Sequence, residues 1–132
     1  MADLKRDDRT CENRPCELYA ICLVKHEEDI IGETLTYAAR HCDRIFVLDN
    51  GSTDATWVLV QFFCRADSRI VPFGRTFEPY RRSVRSQVYY ELRSELPEDA
   101  WWLALDADEF LAEDPQPVIR QAVQQGADVI RA

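Results

Sequence analysis

Trp101-Trp102-Leu103-Ala104-Leu105 is an uninterrupted apolar run that ends in Asp106-Ala107-Asp108-Glu109. It constrains the fold more than any other feature of the chain. A run this short, apolar at every position, suits a strand buried on both faces. Such strands belong to parallel sheets covered by helices. In open sheets of that kind, ligands gather just beyond the carboxyl ends of the strands. Acids at that place are expensive to bury unless something positive sits among them. A divalent cation with oxygen ligands, bridging protein carboxylates and a substrate diphosphate, fits that requirement.

The rest of the chain repeats the pattern. Residues 18–24 (Leu-Tyr-Ala-Ile-Cys-Leu-Val) are another continuous apolar run, and 44–49 (Arg-Ile-Phe-Val-Leu-Asp) form a strand that again closes on an acid. A short third strand is predicted at 69–73, and a further one starts at Asp128. Helical spacing separates them. In 27–40, Ile31, Leu35 and Ala38 share one face, with Glu27, Glu28 and Asp29 placed in the first turn, where the helix dipole favours acids. Further helices are predicted at 55–65, within 77–95 (Val84, Val88 and Leu92 recur every four residues), and at 117–125 after a first-turn proline. Strands alternating with helices predict an α/β fold with a mostly parallel sheet flanked by helices. Residues 1–17 read as a polar lead-in, and 18–132 as one domain.

The bulk numbers narrow the function classes. The chain has 132 residues and a net charge of −8, from 24 acids against 16 bases. Nucleic-acid binding rests on phosphate neutralisation, so no nucleic-acid partner is expected. No apolar stretch approaches transmembrane length, and the N-terminus lacks a signal core. A cytoplasmic location is expected. The five cysteines, at 11, 16, 22, 42 and 64, include no Cys-x-x-Cys pair and read as free thiols in a reducing compartment. Cys11 and Cys16 flank a polar, proline-containing segment and could pair or bind metal, although no second ligand pair supports them.

Each candidate site residue has a structural alternative. Asp106, Asp108 and Glu109 could be a cap and solvated acids. The metal reading is preferred because Asp-x-Asp after a strand puts alternate side chains on one side. Asp49 could accept hydrogen bonds from a nucleobase N–H or a ribose hydroxyl, and Gly51 permits close backbone approach. Asp49 and Asp106 are expected to face one cleft. Asp54 reads as a helix cap, as Ser52 could. His26 could line a nucleotide pocket, whereas His41 reads as structural. Arg81, Arg82, Arg85 and Arg93 read as a solvated face from which one guanidinium could reach a diphosphate. Trp101 and Trp102 read as packing residues.

These residues carry a family resemblance. Tyr19-Ala-Ile-Cys-Leu-Val-Lys25-His26-Glu27-Glu28, Ile45-Phe-Val-Leu-Asp49-Asn50-Gly51-Ser52-Thr53-Asp54 and Trp102-Leu-Ala-Leu-Asp106-Ala-Asp108-Glu109-Phe110 resemble, in order, motifs of the inverting glycosyltransferases of family 2. The resemblance spans roughly residues 18–131 and implies the GT-A fold of nucleotide-sugar transferases. It implies that His26, Glu27, Asp49, Asn50, Gly51 and Asp106 bind the nucleotide-sugar donor. It further implies that Asp106 and Asp108 serve Mn2+ or Mg2+ on the donor diphosphate, as a Lewis acid for the leaving group. Members often carry Asn where this chain has His26. The resemblance places the acceptor site and the general base beyond Ala132, so the domain is expected to be truncated. It leaves the catalytic base and the acceptor unassigned, and an apolar sheet edge near Val129 and Ile130 open to association. The alternative is a non-catalytic nucleotide-binding remnant, or a module completed by another chain. An aspartyl-phosphate enzyme fits poorly, because no hydroxyl residue follows Asp108 directly and lysine occurs only at positions 5 and 25.

Overall fold

The chain is described here by a computed structural model covering residues 3–5 and 16–131. Six strands form one sheet: β1 (Asp3–Lys5), β2 (Leu18–Val24), β3 (Arg44–Asp49), β4 (Ile70–Arg75), β5 (Trp101–Asp106) and β6 (Val129–Arg131). Their order across the sheet is β4-β3-β2-β5-β1-β6. The four strands expected to be parallel are parallel neighbours: β4 with β3, β3 with β2, β2 with β5. The helices are α1 (Ile31–Ala38), α2 (Thr56–Ala66), α3 (Arg82–Leu92) and α4 (Gln116–Gln124).

Period-two alternation sorts the strand side chains into two cores. Leu18, Ala20, Cys22 and Val24 face one side with Ile45, Val47, Trp101, Leu103 and Leu105, beneath α1, α2 and α4. Tyr19, Ile21, Phe46, Leu48 and Trp102 face the other side, against Val84 and Val88 of α3. Tyr19 and Trp102 pack there with ring centroids 5.4 Å apart. Burial on both faces explains why these strands are apolar throughout rather than alternating. Leu103 is fully buried at the sheet centre. Leu103→Ala is expected to lower unfolding free energy by about 2–5 kcal/mol, the usual range for such truncations. Urea denaturation followed by circular dichroism checks this.

Several boundaries differ from the sequence expectation. Asp3–Lys5, inside the segment read as a polar lead-in, forms a strand that pairs antiparallel with both β5 and β6. Backbone pairing over three residues leaves no hydrophobic period to read. The acids Glu27, Glu28 and Asp29 precede α1 instead of occupying its first turn. The Glu27 carbonyl accepts from the Ile30 and Ile31 N–H groups at 3.1 and 2.9 Å. The third helix starts five residues later than the predicted segment, at Arg82. Cys16 is disulfide-bonded, contrary to the free-thiol expectation. The thiol argument for a reducing compartment therefore fails at this residue, because such bonds persist mainly under oxidising conditions. Cys22 and Cys42 are free and buried, which pushes each thiol up to about 12 and leaves them inert.

At the sheet edges, β4 carries Pro72, a residue that suits an edge strand because it lacks an N–H. On the opposite edge Val129 of β6 is exposed. Among the described residues, no helix is long and apolar enough to cross a membrane.

Candidate functional site

The carboxyl ends of β2, β3, β4 and β5 lie along one side of the parallel sheet. After β3, residues 49–54 fold around the Asp49 carboxylate. Its Oδ2 accepts from the Gly51 and Ser52 N–H groups at 3.1 and 2.9 Å and from Arg75 Nε at 3.1 Å. Arg75 also donates from Nη2 to the Ser52 carbonyl at 2.7 Å. Gly51 has φ +79°, and a Cβ there would come within 3.2 Å of the Phe77 ring. A side chain at this position would meet both backbone strain and that ring.

The turn after β2 is laced to the turn after β3. The His26 N–H donates to Ser52 Oγ at 2.9 Å, and the Glu27 N–H to Thr56 Oγ1 at 2.9 Å. In return, the Ala55 N–H donates to Glu28 Oε2 at 2.9 Å. His26 sits at φ 52°, the left-handed region that non-glycine residues seldom enter. Such strain persists only where surrounding bonds over-determine it, as the Ser52 and Thr56 contacts do. Asp54 caps the start of α2 from just outside: its Oδ1 accepts from the Thr56 hydroxyl at 2.5 Å and the Thr56 N–H at 3.0 Å. Those bonds, the hydroxyl foremost, hold its carboxyl below the usual range.

After β5, Asp106 and Glu109 close a turn on each other. The Asp106 N–H donates to Glu109 Oε1 and the Glu109 N–H to the Asp106 carbonyl, both at 3.0 Å. Buried Ala107 points into the core, where its carbonyl accepts from the Thr34 hydroxyl. Asp106 and Asp108 therefore both project outward. Arg85 of α3 reaches Asp106 Oδ1 with Nη2 at 2.6 Å, a short charge-assisted bond. Arg85 Nε is buried with no hydrogen-bond partner. One of the arginines read as a solvated face thus holds the Asp106 carboxylate.

A cleft of about 320 Å³ lies over the ends of β2 and β5. Glu27, Asn50, Tyr80, Asp106 and Asp108 line it, together with Lys25. Four sequence-derived candidates, Glu27, Asn50, Asp106 and Asp108, are thus brought together. Asp49 is not. In the register Val24 pairs with Asp49, whereas Leu23 pairs with both Leu48 and Asp106. Successive side chains alternate across a sheet, so Asp49 and Asp106 stand on opposite faces. The expectation that both carboxylates face one cleft is corrected on that ground. Asp49 is fully buried, with Oδ1 lacking a hydrogen-bond partner. Here it builds the turn that presents Asn50. His26 and Gly51 likewise shape the turns without lining the cleft.

Tyr80 was missed by sequence reasoning. It lies in an irregular loop with no period to signal it, and Asn50 anchors that loop by donating from Nδ2 to the Thr76 and Glu78 carbonyls. Arg75, the partner of Asp49, ends β4 beside it, a cross-strand pairing that no local period signals.

The acids in and around the cleft act on one another. Burial first, then the charges of Asp108, Asp29 and Asp54, raise the pKa of Glu27. A raised native pKa means that the folded state binds this proton more tightly than the unfolded chain. The contribution is favourable at low pH and is lost as pH rises through the raised value. Glu27→Gln should therefore gain stability relative to wild type between about pH 4 and pH 7. The gain should be small, because solvent screens a partly exposed side chain. Paired urea midpoints across that range check it. Among the described residues, no three Asp, Glu, His or Cys side chains stand close enough to hold a metal ion alone. Asp106 and Asp108 nevertheless fit one. Small hard cations bind through one or two carboxylates and take their remaining ligands from substrate phosphates and water.

The fold is shared with a mannosyltransferase. The solved structure is the mannosyltransferase PcManGT from Pyrobaculum calidifontis in complex with GDP-Man and Mn2+. The match has a TM-score of 0.62 at 18% sequence identity, and it covers 93% of this chain and 36% of that one. This chain thus spans little more than a third of that enzyme. No protein-family model and no curated protein sequence matches it.

Proposed function

We propose that this chain is the nucleotide-sugar-binding part of a family 2-like inverting glycosyltransferase. The observation that carries the reading is the meeting of Glu27, Asn50, Asp106 and Asp108 in one cleft, in a fold shared with a GDP-Man-binding enzyme. Asp108, with Asp106, would hold a divalent cation on the donor diphosphate, Mn2+ as in that enzyme or Mg2+. When bound, such an ion offsets charge on the leaving diphosphate. Glu27 and Asn50 line the nucleotide subsite. Asp49, Gly51 and His26 serve it by fixing the two laced turns. Arg85 holds Asp106 in its outward position.

The partner is a nucleotide-diphosphate sugar, whose glycosyl group would pass to an acceptor hydroxyl with inversion at the anomeric carbon while the nucleoside diphosphate leaves. The base that takes the acceptor proton is unassigned, because it must lie within hydrogen-bond reach of that hydroxyl. A second reading is a nucleotide-binding module that is non-catalytic or completed by another chain. The exposed Val129 on the β6 edge is the proposed point of association in that case.

Calorimetry with GDP and UDP, with and without Mn2+, tests the shared core of both readings. Metal-dependent binding of at least one nucleotide is expected. No binding with either metal state would overturn both. Acceptor-dependent transfer by the purified chain would then exclude the non-catalytic module.

A further inference from the structure

A second groove, of about 630 Å³, opens between α1 and α2 beside the donor cleft. Phe63 lies along its floor on bare backbone: a Cβ at Gly32 would come within 2.7 Å of the Phe63 ring. One wall is Phe110 set edge-to-face against Tyr37 at 5.5 Å and 71°. On the shoulder of the groove, Phe62 meets Phe63 edge-to-face at 5.4 Å and stands 61% exposed. Val58, one turn earlier on α2, is 65% exposed. Large apolar side chains at i and i+4 form a continuous stripe, not scattered exposure.

Charge is sorted along this face. α1 and α2 each cross between parallel neighbours, β2 to β3 and β3 to β4, so the two helices run in the same direction. Their starts are tied at one level, where the Ala55 N–H donates to Glu28 Oε2. That end carries Glu28, Asp29 and Glu33. The far end carries Arg40 beyond α1 and Arg65 in the last turn of α2. Asp67, the acid at that end, is matched by Arg69 at 2.7 Å. Glu33, Thr36, Tyr37 and Arg40 recur at i, i+3, i+4 and i+7, which is one stripe of a helix. The stripe is acidic at its start, neutral in the middle and basic at its end.

A second copy of this chain complements such a face. Two copies laid with their helices parallel would set acid on acid and base on base. A two-fold axis across the helices turns one copy end for end, so each acidic end meets a basic one. A contact of that symmetry makes every pair twice. With Glu33 opposite the partner's Arg40, Thr36 falls opposite the partner's Tyr37, and the axis crosses α1 between these two positions. Thr36 is as far along the chain from Glu28 as Phe63 is from Ala55, so α2 presents Phe62 and Phe63 near the same level. The axis then brings those rings against the partner's pair, an aromatic cluster at the centre of the contact. Arg40 is already steadied for its role, with its guanidinium 5.6 Å from the Tyr37 ring centre. We propose that the chain forms a two-fold dimer through this face, with α1 and α2 each antiparallel to its counterpart. The dimer does not depend on the glycosyltransferase reading.

Sedimentation velocity of the purified chain over about 1–300 µM tests the proposal. A reversible monomer–dimer equilibrium is expected, with a Kd on the order of 10 µM. Phe62→Asp should weaken it about tenfold or more, as loss of a central aromatic anchor does. Glu33→Arg and Arg40→Glu should each weaken it about fivefold or more, because each sets like charges together twice. An equimolar mixture of those two variants should recover the dimer, since both contacts in the mixed pair again join opposite charges. All three side chains are exposed, so the variants should match the wild type in circular dichroism and thermal melting. Val129→Lys, on the β6 edge, should leave the equilibrium unchanged. A monomer at every concentration would overturn the proposal. So would charge variants that stay monomeric when mixed. A dimer lost in Val129→Lys and kept in Phe62→Asp would overturn it in favour of pairing through the sheet edge.

Discussion

Asp49→Ala is expected to be the most destabilising single change at the site, lowering unfolding free energy by about 3 kcal/mol or more. The carboxylate is fully buried, and its Oδ2 gathers two backbone N–H groups and Arg75. Truncation leaves those donors unsatisfied and removes the pair partner of a guanidinium whose side chain is only 33% exposed. Arg75 can partly recover by turning to solvent, which keeps the loss near the lower end for a broken buried pair. Asp49→Asn keeps an acceptor in place and should lose markedly less. Urea unfolding of the three proteins, followed by far-UV circular dichroism, reads the difference. An alanine variant as stable as wild type would mean that the turn at 50–52 holds itself. Even under folding conditions the alanine variant should bind nucleotide poorly, because Asn50 hangs from that turn.

Asp108→Asn should abolish Mn2+-dependent binding of a nucleoside diphosphate and leave the fold intact. A hard cation loses an anionic oxygen ligand that neutral amide oxygen replaces poorly. Stability should hold or rise slightly, since Asp108 is exposed and its charge is one of those that raise the pKa of Glu27. Removing it should bring the Glu27 carboxyl closer to its ordinary value. Calorimetry and a thermal melt separate the two effects. Unchanged metal-dependent affinity would remove Asp108 from the metal site, and lost stability would make it a structural residue.

The site was legible where it followed from local pattern and illegible where it depended on side-chain direction across strands. Asp106 and Asp108 could be read from an apolar run ending in Asp-x-Asp, because alternation within one strand is a local property. The relation of Asp49 to Asp106 could not be read so. It depends on how β3 and β5 each register against β2, and a one-residue difference in register reverses the face. Arg75, Tyr80 and Arg85 reach the site from β4, an irregular loop and a helix. Their sequence neighbourhoods look like any exposed basic or aromatic stretch.

The sequence by itself determined the α/β class, four parallel strands, four helices and the end of the sheet at which acids collect. Burial on both faces demands apolar runs, and one-sided helices demand a 3.6-residue period, so these features are written in composition along the chain. Only the tertiary structure decided that Asp3–Lys5 slots between β5 and β6. It alone showed that Asp49 is a buried strut, that Arg85 holds Asp106, and that a second groove opens beside the cleft. Each of these is a contact between residues far apart in the chain. Contacts of that kind depend on register, packing and hydrogen-bond geometry, which no local period encodes.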